Sequence, residues 1–599
     1  MKNVINTIIK NAIKSARMPN TVATLKTLAK KIAPLKTIFL NTVPLGIFIS
    51  ALISSLTVST ASANPGNRLG YNTSGLHSIA SSNPFIDIFK ISRGWITGCE
   101  FDWQRNRAID PGCTRKSSFN TKESEKVSVD ANGWPTRLPA RNESPIFTSI
   151  SAIWDMPDNF QTGQYFMTYE GDADLKVLGD VDILQQRPGR VDFNLKTAKR
   201  NLRIHITRIN PRNHIRNIKV IPKKYASIYT RQTFNPDYIR SVRPFNSIRF
   251  MPWQNTKDTT LAHWRDRTTP RSAFYNGNAG MPVETMTDLA NAAHAAPWFS
   301  MPHMATDSFM RKFAQTVKQR LKPGQKVYVE YSNEVWNSMY PATHYASRQG
   351  LKLWPRGKTE IKNPGTRRLF LALNYNAKRS KEMCNIWKQT FGGQRKNVVC
   401  VVSAYGSAPK MGEELMSCPL AGGDCYKSFD AYAVAPYFGD YIARIENRPL
   451  VKRWAHQGNA GVNQLFREIL NGGLAKDNYQ GGAIENAIQD RVVKNVALAR
   501  KYGVKLLAYE GGQHLLRVDR PHVIHDPKVY SLFAKANRNP QMGQAYIKYL
   551  NAWNRAGGGM LMHFNGIAAI NDRSIFPMLD KPGGRSAKYN AMISYLRGR

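Results

Sequence analysis

The sequence predicts an α/β protein: a (β/α)8 barrel interrupted by an inserted, β-rich accessory domain of sandwich type. Three observations lead there. From about Phe234 to the C-terminus, helical patterns alternate with short apolar strands, the order expected of repeated βα units in a parallel sheet. Between about Cys99 and Tyr225 the texture is instead one of short alternating segments and turn residues, which reads as antiparallel sheet. Two of the βα units end in a glutamate just past the carboxyl end of the strand, where barrels and open α/β sheets carry their chemistry.

The elements follow in chain order. Met1 to Ala63 contains no acidic residue and eight basic ones (Lys2, Lys10, Lys14, Arg17, Lys26, Lys30, Lys31, Lys36), then an apolar run from Val43 to Val58 and the small residues Ala61-Ser62-Ala63. A positive region, an apolar region and a small-residue site in that order predict an export signal with a long leader, cleaved before Asn64. The alternative is an uncleaved membrane anchor, although the apolar run is short of the about 20 residues a spanning helix needs. Residues 64–98 carry the first barrel strand, near Asn67–Tyr71. Residues 99–233 form the insert, whose clearest strand is Asn201–Ile209: Leu202, Ile204 and Ile206 alternate with Arg203, His205 and Thr207, one face apolar and the other basic. Residues 234–599 supply the other seven barrel strands, at Ser247–Trp253, Ala296–His303, Lys326–Tyr331, Asn397–Tyr405, Phe429–Phe438, Val504–Tyr509 and Gly558–Phe564.

Two βα units read most clearly. A helix beginning at Asp307 presents Phe309, Phe313, Val317 and Leu321 on one face and stops at Pro323-Gly324. The strand Lys326–Tyr331 follows and ends in Ser332-Asn333-Glu334-Val335-Trp336-Asn337. A second helix, through Ile488, Val492, Val496 and Ala499, stops near Gly503, and its strand Val504–Tyr509 ends in Glu510-Gly511-Gly512. A carboxylate at the end of a buried strand is costly unless paired, hydrogen-bonded or protonated. Two such carboxyls on strands four and seven, across one barrel face, suit general acid/base work beside a nucleophile, the equipment that cleavage of a glycosidic bond requires.

These residues carry a resemblance. Asn333-Glu334 after strand four and Glu510 after strand seven resemble the catalytic pattern of the retaining clan A glycoside hydrolases. The stretches Ile248–Trp253, Tyr328–Asn337 and Ala508–Gly512 are similar to exported bacterial cellulase-like proteins. The resemblance spans about Phe234 to the C-terminus. It implies Glu334 as general acid/base, Glu510 as nucleophile and Asn333 as a hydrogen-bond partner of the sugar 2-hydroxyl. Arg249 and Tyr437 would hold Glu510 ionised and oriented, since a cation and a hydrogen-bond donor both favour the charged form. Trp298, His303 and Trp336 would line sugar subsites. His514 would touch substrate from its loop, and His563 would bind substrate at the strand end where many members carry a tryptophan platform. The sequence departs from the common Asn-Glu-Pro with Asn333-Glu334-Val335, and at the eighth strand with His563-Phe564. Arg249 also reads as an ordinary buried ion-pair partner, and Glu330, four residues before Glu334, as a structural ion pair near the barrel interior.

Composition adds compartment and partner. The 599 residues are 42% apolar and 10% aromatic, enough for a large core, and dispersed Gly and Pro without heptads or repeats exclude disordered, collagen-like and coiled-coil classes. Export permits disulfides, and sequence proximity would pair Cys99 with Cys113, Cys384 with Cys400 and Cys418 with Cys425, one of about 15 connectivities that six cysteines allow. No CxxC is present, so no zinc site is expected, and neither metal nor cofactor is required. Asp172, Asp174, Asp180 and Asp182 are loosely spaced like calcium ligands but match no calcium loop and read as turns.

The formal charge is +44, from 85 Lys and Arg against 41 Asp and Glu; the eight leader cations account for part, leaving +36 on the mature chain. Arg187–Lys224 alone holds twelve basic residues against Asp192. Such a surplus would concentrate an anionic polymer: an acidic polysaccharide first, lipopolysaccharide or another anionic cell-envelope polymer second. Nucleic acid ranks third, because no recognised nucleic-acid motif accompanies the charge, and a membrane partner would require the uncleaved leader. The leading expectation is an exported retaining glycoside hydrolase acting on a β-linked polysaccharide. A noncatalytic polysaccharide-binding or envelope matrix protein on the same barrel competes with it, as does an adhesin that acts through the basic insert alone.

Overall fold

The computed structural model describes residues 68–75, 82–140, 146–157, 160–476, 480–515, 526–570 and 575–598. The expected leader and its cleavage site lie outside the described residues. No described helix is long and apolar enough to cross a membrane.

The chain enters the barrel with β1 (Leu69–Asn72) and leaves it at once for the insert. There it forms β2 (Arg93–Gly98), the short hairpin β3 (Phe101–Asp102) and β4 (Arg107–Ala108), then β5 (Ser149–Ile153), β6 (Gly163–Glu170), β7 (Ala173–Leu178), β8 (Val181–Arg187), β9 (Arg190–Leu195), β10 (Arg203–Ile209) and β11 (Arg216–Pro222). It returns for β12 (Ser247–Arg249), β13 (Ala296–Met301), β14 (Val327–Tyr331), β15 (Val398–Ser403), β16 (Ala431–Val434), β17 (Lys505–Ala508) and β18 (Leu561–His563). The strands β1 and β12 to β18 close into one eight-stranded barrel in chain order, and every neighbouring pair is parallel. All eight expected strands are present, most trimmed at their ends.

Alternation along the strands sorts side chains into two layers, as the period of two requires. Trp298, Tyr328, Val401, Ala431, Ala433, Leu507, Tyr509, Met560 and Met562 pack inside the barrel. Phe299, Cys400, Val402, Tyr432 and Val434 face outward into the layer shared with the helices. The helix Asp307–Arg320 buries Phe309, Met310, Phe313, Ala314 and Val317 there, and the Thr306 side chain caps it by accepting from Phe309 N. Closure is tight at β1. A Cβ on Gly70 would overlap Met562 Sδ and come within 2.7 Å of the Ser247 carbonyl oxygen, so the strand needs glycine where it wedges between β12 and β18.

The insert consists of two four-stranded sheets, ordered β2-β5-β10-β7 and β11-β6-β9-β8, in which neighbouring strands pair antiparallel. Their apolar faces share one core, in which Ile150, Ala152, Leu175, Val177, Ile204 and Ile206 of the first sheet join Tyr165, Met167, Val191, Phe193 and Val220 of the second. The first of these strands begins at Arg93, within the segment read from the sequence as belonging to the barrel; with two glycines and adjacent Trp95 and Ile96, Arg93–Gly98 shows no alternation of apolar and polar residues. The aspartates with calcium-like spacing are spent on cations: Arg208 bridges Asp172 and Asp174, and Lys196 reaches Asp180 and Asp182. Among the described residues no group of His, Cys, Asp and Glu could hold a metal.

Cys99–Cys113 and Cys418–Cys425 are bridged. The third expected bridge is corrected: Cys384, on the helix Pro364–Phe391, and Cys400, on β15, are buried free thiols. They are hydrogen-bonded neighbours, and burial holds the Cys384 thiol well above its ordinary pKa. A thiol kept protonated in this way lacks the thiolate that disulfide exchange needs.

Candidate active site

The site is organised around Arg249, the last residue of β12, whose side chain is fully buried. Its Nε donates to Glu330 Oε1 at 3.0 Å and its Nη2 donates to the same oxygen. Nη1 donates to Glu510 Oε1 at 3.1 Å and to Asn72 Oδ1 at 2.9 Å, and Nη2 donates to Asn333 Oδ1 at 2.9 Å. One guanidinium thus ties together the ends of strands one, two, four and seven. A planar fork of five N–H donors can do this without a competing acceptor, which a lysine could not. Glu330, on β14, also accepts from Ser300 Oγ of β13 at 2.6 Å. It occupies the place of the structural ion pair read from the sequence.

The two terminal glutamates are held differently. Glu510 Oε2 accepts from the Tyr437 hydroxyl at 2.8 Å, so both of its oxygens have strong partners and one partner is a cation. Glu334 accepts only neutral donors, the Tyr509 hydroxyl at 2.9 Å on Oε1 and Asn337 Nδ2 at 2.9 Å on Oε2. The loop that presents it carries left-handed backbone at Ser332 (φ 62°) and Glu334 (φ 46°), a conformation costly for non-glycine residues and common where a chain must aim a functional group.

Burial raises the pKa of both carboxyls. For Glu510, pushed up to about 7, the next cause is the charge of Glu334, while Arg249 and Tyr437 pull it down. For Glu334 the lowering contributions come from Asn337, Tyr509 and then Arg249. The raised titration belongs to the pair rather than to one member, and the contacts decide which oxygen keeps the proton. Direct contact with Arg249 favours charge on Glu510, so the proton resides on Glu334.

The other candidates fall into place around this pair. Tyr437 is fixed from behind: Arg491 donates to its carbonyl, and its ring meets those of His514 at 5.0 Å and Phe564 at 6.2 Å. His514 packs edge-on between Tyr437 and Phe576 and is held neutral by burial, so it supports Tyr437 and makes no hydrogen bond to either carboxyl. Trp336 lies half-buried beside the Tyr405 ring, centroids 4.9 Å apart, with its indole N–H unpartnered among the described residues. His303 is buried against Tyr345, also with an unpartnered ring nitrogen, Nδ1. Two expectations are corrected. Trp298 is fully buried inside the barrel, stacked on Tyr328 and 5.7 Å from the Arg249 guanidinium, and has no open face for a sugar. His563 is likewise fully buried, its ring nitrogens engaged by Tyr546 at 2.9 Å and the Asn565 carbonyl at 3.1 Å.

Three residues were not anticipated. Asn72 accepts from Arg249 and donates to the Tyr509 carbonyl at 3.1 Å, joining strand one to strand seven. Tyr509 bonds Glu334 and lies 5.3 Å from the Arg249 guanidinium. Asn337 holds the second Glu334 oxygen. Tyr509 shares the inward alternation of Leu507, a signal that could have found it.

The sequence matches no family model and no curated protein. Among solved structures, the chain is similar to a 4-O-α-L-rhamnosyl-β-D-glucuronidase from Fusarium oxysporum 12S, with 11% identity, 62% of this chain and 66% of that one covered, and a TM-score of 0.35. It is similar to a GH5-4 broad-specificity endoglucanase from Clostridium acetobutylicum, with 11% identity, 62% and 91% covered, and a TM-score of 0.33. It is also similar to Bacteroides uniformis β-glucuronidase 2, with 10% identity, 75% and 48% covered, and a TM-score of 0.32. The chain therefore spans just under two thirds of the first and about half of the third. At these identities each likeness is one of fold.

Proposed function

We propose that the protein is an exported, retaining glycoside hydrolase acting on a β-linked polysaccharide, an acidic one being the first candidate. The observation that carries this reading is the asymmetry of the two carboxyls at the barrel mouth: Glu510 is held by a buried cation and a phenol, Glu334 by neutral donors only. Such a pair supplies one ionised and one protonated group at neutral pH, the division of labour that glycosidic cleavage uses.

In the first step Glu510 attacks the anomeric carbon as the bond to the leaving oxygen breaks, and Glu334 gives that oxygen its proton. In the second, Glu334 as carboxylate takes a proton from water, the water oxygen bonds the anomeric carbon, and Glu510 leaves. Asn333 has its oxygen committed to Arg249, so its amide nitrogen is the donor available for a sugar hydroxyl. Trp336 and His303, with unpartnered ring nitrogens near the strand ends, are the proposed sugar-lining groups. The two disulfides support an oxidising compartment.

The test is to incubate the chain from Asn64 to Arg599 with neutral and acidic β-linked polysaccharides and to assay new reducing ends, with Glu510→Gln in parallel. Release that is lost in the variant, with the anomeric configuration kept in the first-formed product, supports the reading. Inversion removes the nucleophile role of Glu510. Binding without release by either form moves the protein to the noncatalytic class.

A further inference from the structure

The outer face of the first sandwich sheet forms the floor of a cleft of about 720 Å³, walled by the segment that follows β2. Strand register sets Ser151, His205 and Lys176 side by side across β5, β10 and β7, with Arg203 beside them on β10. Trp103 and Phe119 stand on the wall, 57% and 47% exposed.

Several cations elsewhere on the insert meet acids: Arg93 with Asp155, Arg190 with Asp192, Lys196 with Asp182, Arg208 with Asp172 and Asp174, Arg216 with Glu170. Others, Arg187 and Lys199 among them, stand exposed to water. Arg203 and Lys176 meet none among the described residues. Arg203 is partly buried, and its Nε donates to Ser151 Oγ at 2.9 Å while its Nη2 lies 3.0 Å from His205 Nδ1. Its guanidinium lies 5.1 Å from the Phe119 ring centroid. A guanidinium can only donate, so His205 Nδ1 accepts and the imidazole proton sits on Nε2. Burial and the two adjacent cations hold His205 near a pKa of about 4, neutral at physiological pH. Among the described residues Glu100 is the one acid that lines the cleft.

A partly buried guanidinium without a counterion is a standing cost. An anion entering the cleft would offset it by charge-assisted bonds. Arg115 lies over the Trp103 ring as Arg203 does over Phe119; the area that both rings still expose suits the apolar face of a sugar, and aromatic walls with a few placed polar groups are the usual make-up of a ligand site.

We infer that this cleft is a second carbohydrate site, separate from the barrel mouth, that binds the anionic sugars of an acidic glycan through Arg203 and Lys176 with Trp103 and Phe119 as ring platforms. The choice of a glycan over other polyanions rests on the hydrolase reading; the anion site itself does not. Carboxylate and sulfate esters present the same charge to Arg203, so the probes must separate them.

The experiment uses the chain from Asn64 to Arg599 carrying Glu510→Gln, so that binding is read without turnover. Affinity is measured for polygalacturonate (carboxylate only) and dextran sulfate (sulfate only), with methyl-esterified polygalacturonate and dextran as uncharged counterparts. The expected result is binding of at least one anionic polymer and of neither neutral one. Arg203→Gln with Lys176→Gln should weaken it about tenfold or more. Arg187→Gln with Lys199→Gln, which removes equal charge from exposed positions outside the cleft, should change it less than about twofold. Trp103→Ala, at an exposed side chain that the fold does not need, should weaken it several-fold. Equal losses from the two charge pairs, an unchanged Trp103→Ala, or no binding of either polymer overturns the inference. Retained anionic binding with no reducing ends from the parent chain overturns the hydrolase reading and leaves the cleft standing.

Discussion

Replacing Glu510 with glutamine should change how the stability of the protein depends on pH, and this can be measured without knowing the substrate. In the unfolded chain both carboxyls titrate near their ordinary 4.5; in the barrel mouth burial raises both, and the pair, rather than Glu510 alone, holds one proton up to about 7, on Glu334. Between those values the folded protein keeps a proton that the unfolded chain has released. The stability this provides is complete below about 4.5 and is lost as the pH rises through 7. A gap of about 2.5 units at about 1.4 kcal/mol each gives roughly 3 kcal/mol. Glutamine at position 510 carries no charge to keep the proton on Glu334, so the stability of Glu510→Gln relative to the parent should rise between pH 4.5 and 8, by at most about that amount. Glu334→Gln removes the second cause of the displacement and should narrow the window in which the parent declines. Guanidinium denaturation of all three proteins at intervals across this range gives the curves, and other titrating groups cancel in the differences. Parallel curves for parent and Glu510→Gln, constant within about 0.5 kcal/mol, would refute the buried, coupled pair.

Arg249→Met should destabilise by about 3–5 kcal/mol in chemical denaturation, because Glu330 and Glu510 would remain buried without their shared cation; a loss under about 1 kcal/mol would mean that water reaches these carboxylates. Tyr437→Phe removes a donor that favours ionised Glu510, so the acid limb of kcat/KM should move to higher pH, and an unmoved limb would detach Tyr437 from the titration. Thiol titration of the unreduced, denatured protein should count two free cysteines and none reactive in the native state; a count of zero would restore the Cys384–Cys400 bridge.

The barrel was legible because each strand is a short apolar run ended by a polar residue, and because the helix faces between them repeat at their own period. Glu334 and Glu510 were legible for the same reason: position at a strand end carries the information that residue type alone lacks. Parity was the weaker signal. Trp298 read as a subsite ring because an aromatic near a strand end suits a sugar, yet it shares the inward alternation of Ser300 and fills the barrel beneath Arg249. Asn72 does not stand out in the sequence because the apolar run closes at Tyr71, although β1 runs to Asn72 and that residue reaches Arg249. Nearness in sequence favours a Cys384–Cys400 pair, but one lies on a helix and the other on a strand, and they meet as free thiols.

The first strand made is also the one that waits longest for a partner. Asn72 donates to the carbonyl of His563, 491 positions later, at 3.4 Å. At about 5–20 residues per second, roughly 25–100 s of synthesis separate the two. Until then β1 can pair on one side only, with β12. The insert shortens even that wait: if its sheets fold as they emerge, the ends they hold spare β1 and β12 the closure of a long flexible loop. The buried cation meets Glu330 well before Glu510 exists. An interrupted chain therefore carries half of the charge assembly and none of its completed chemistry, and synthesis of the last strands is what finishes the site.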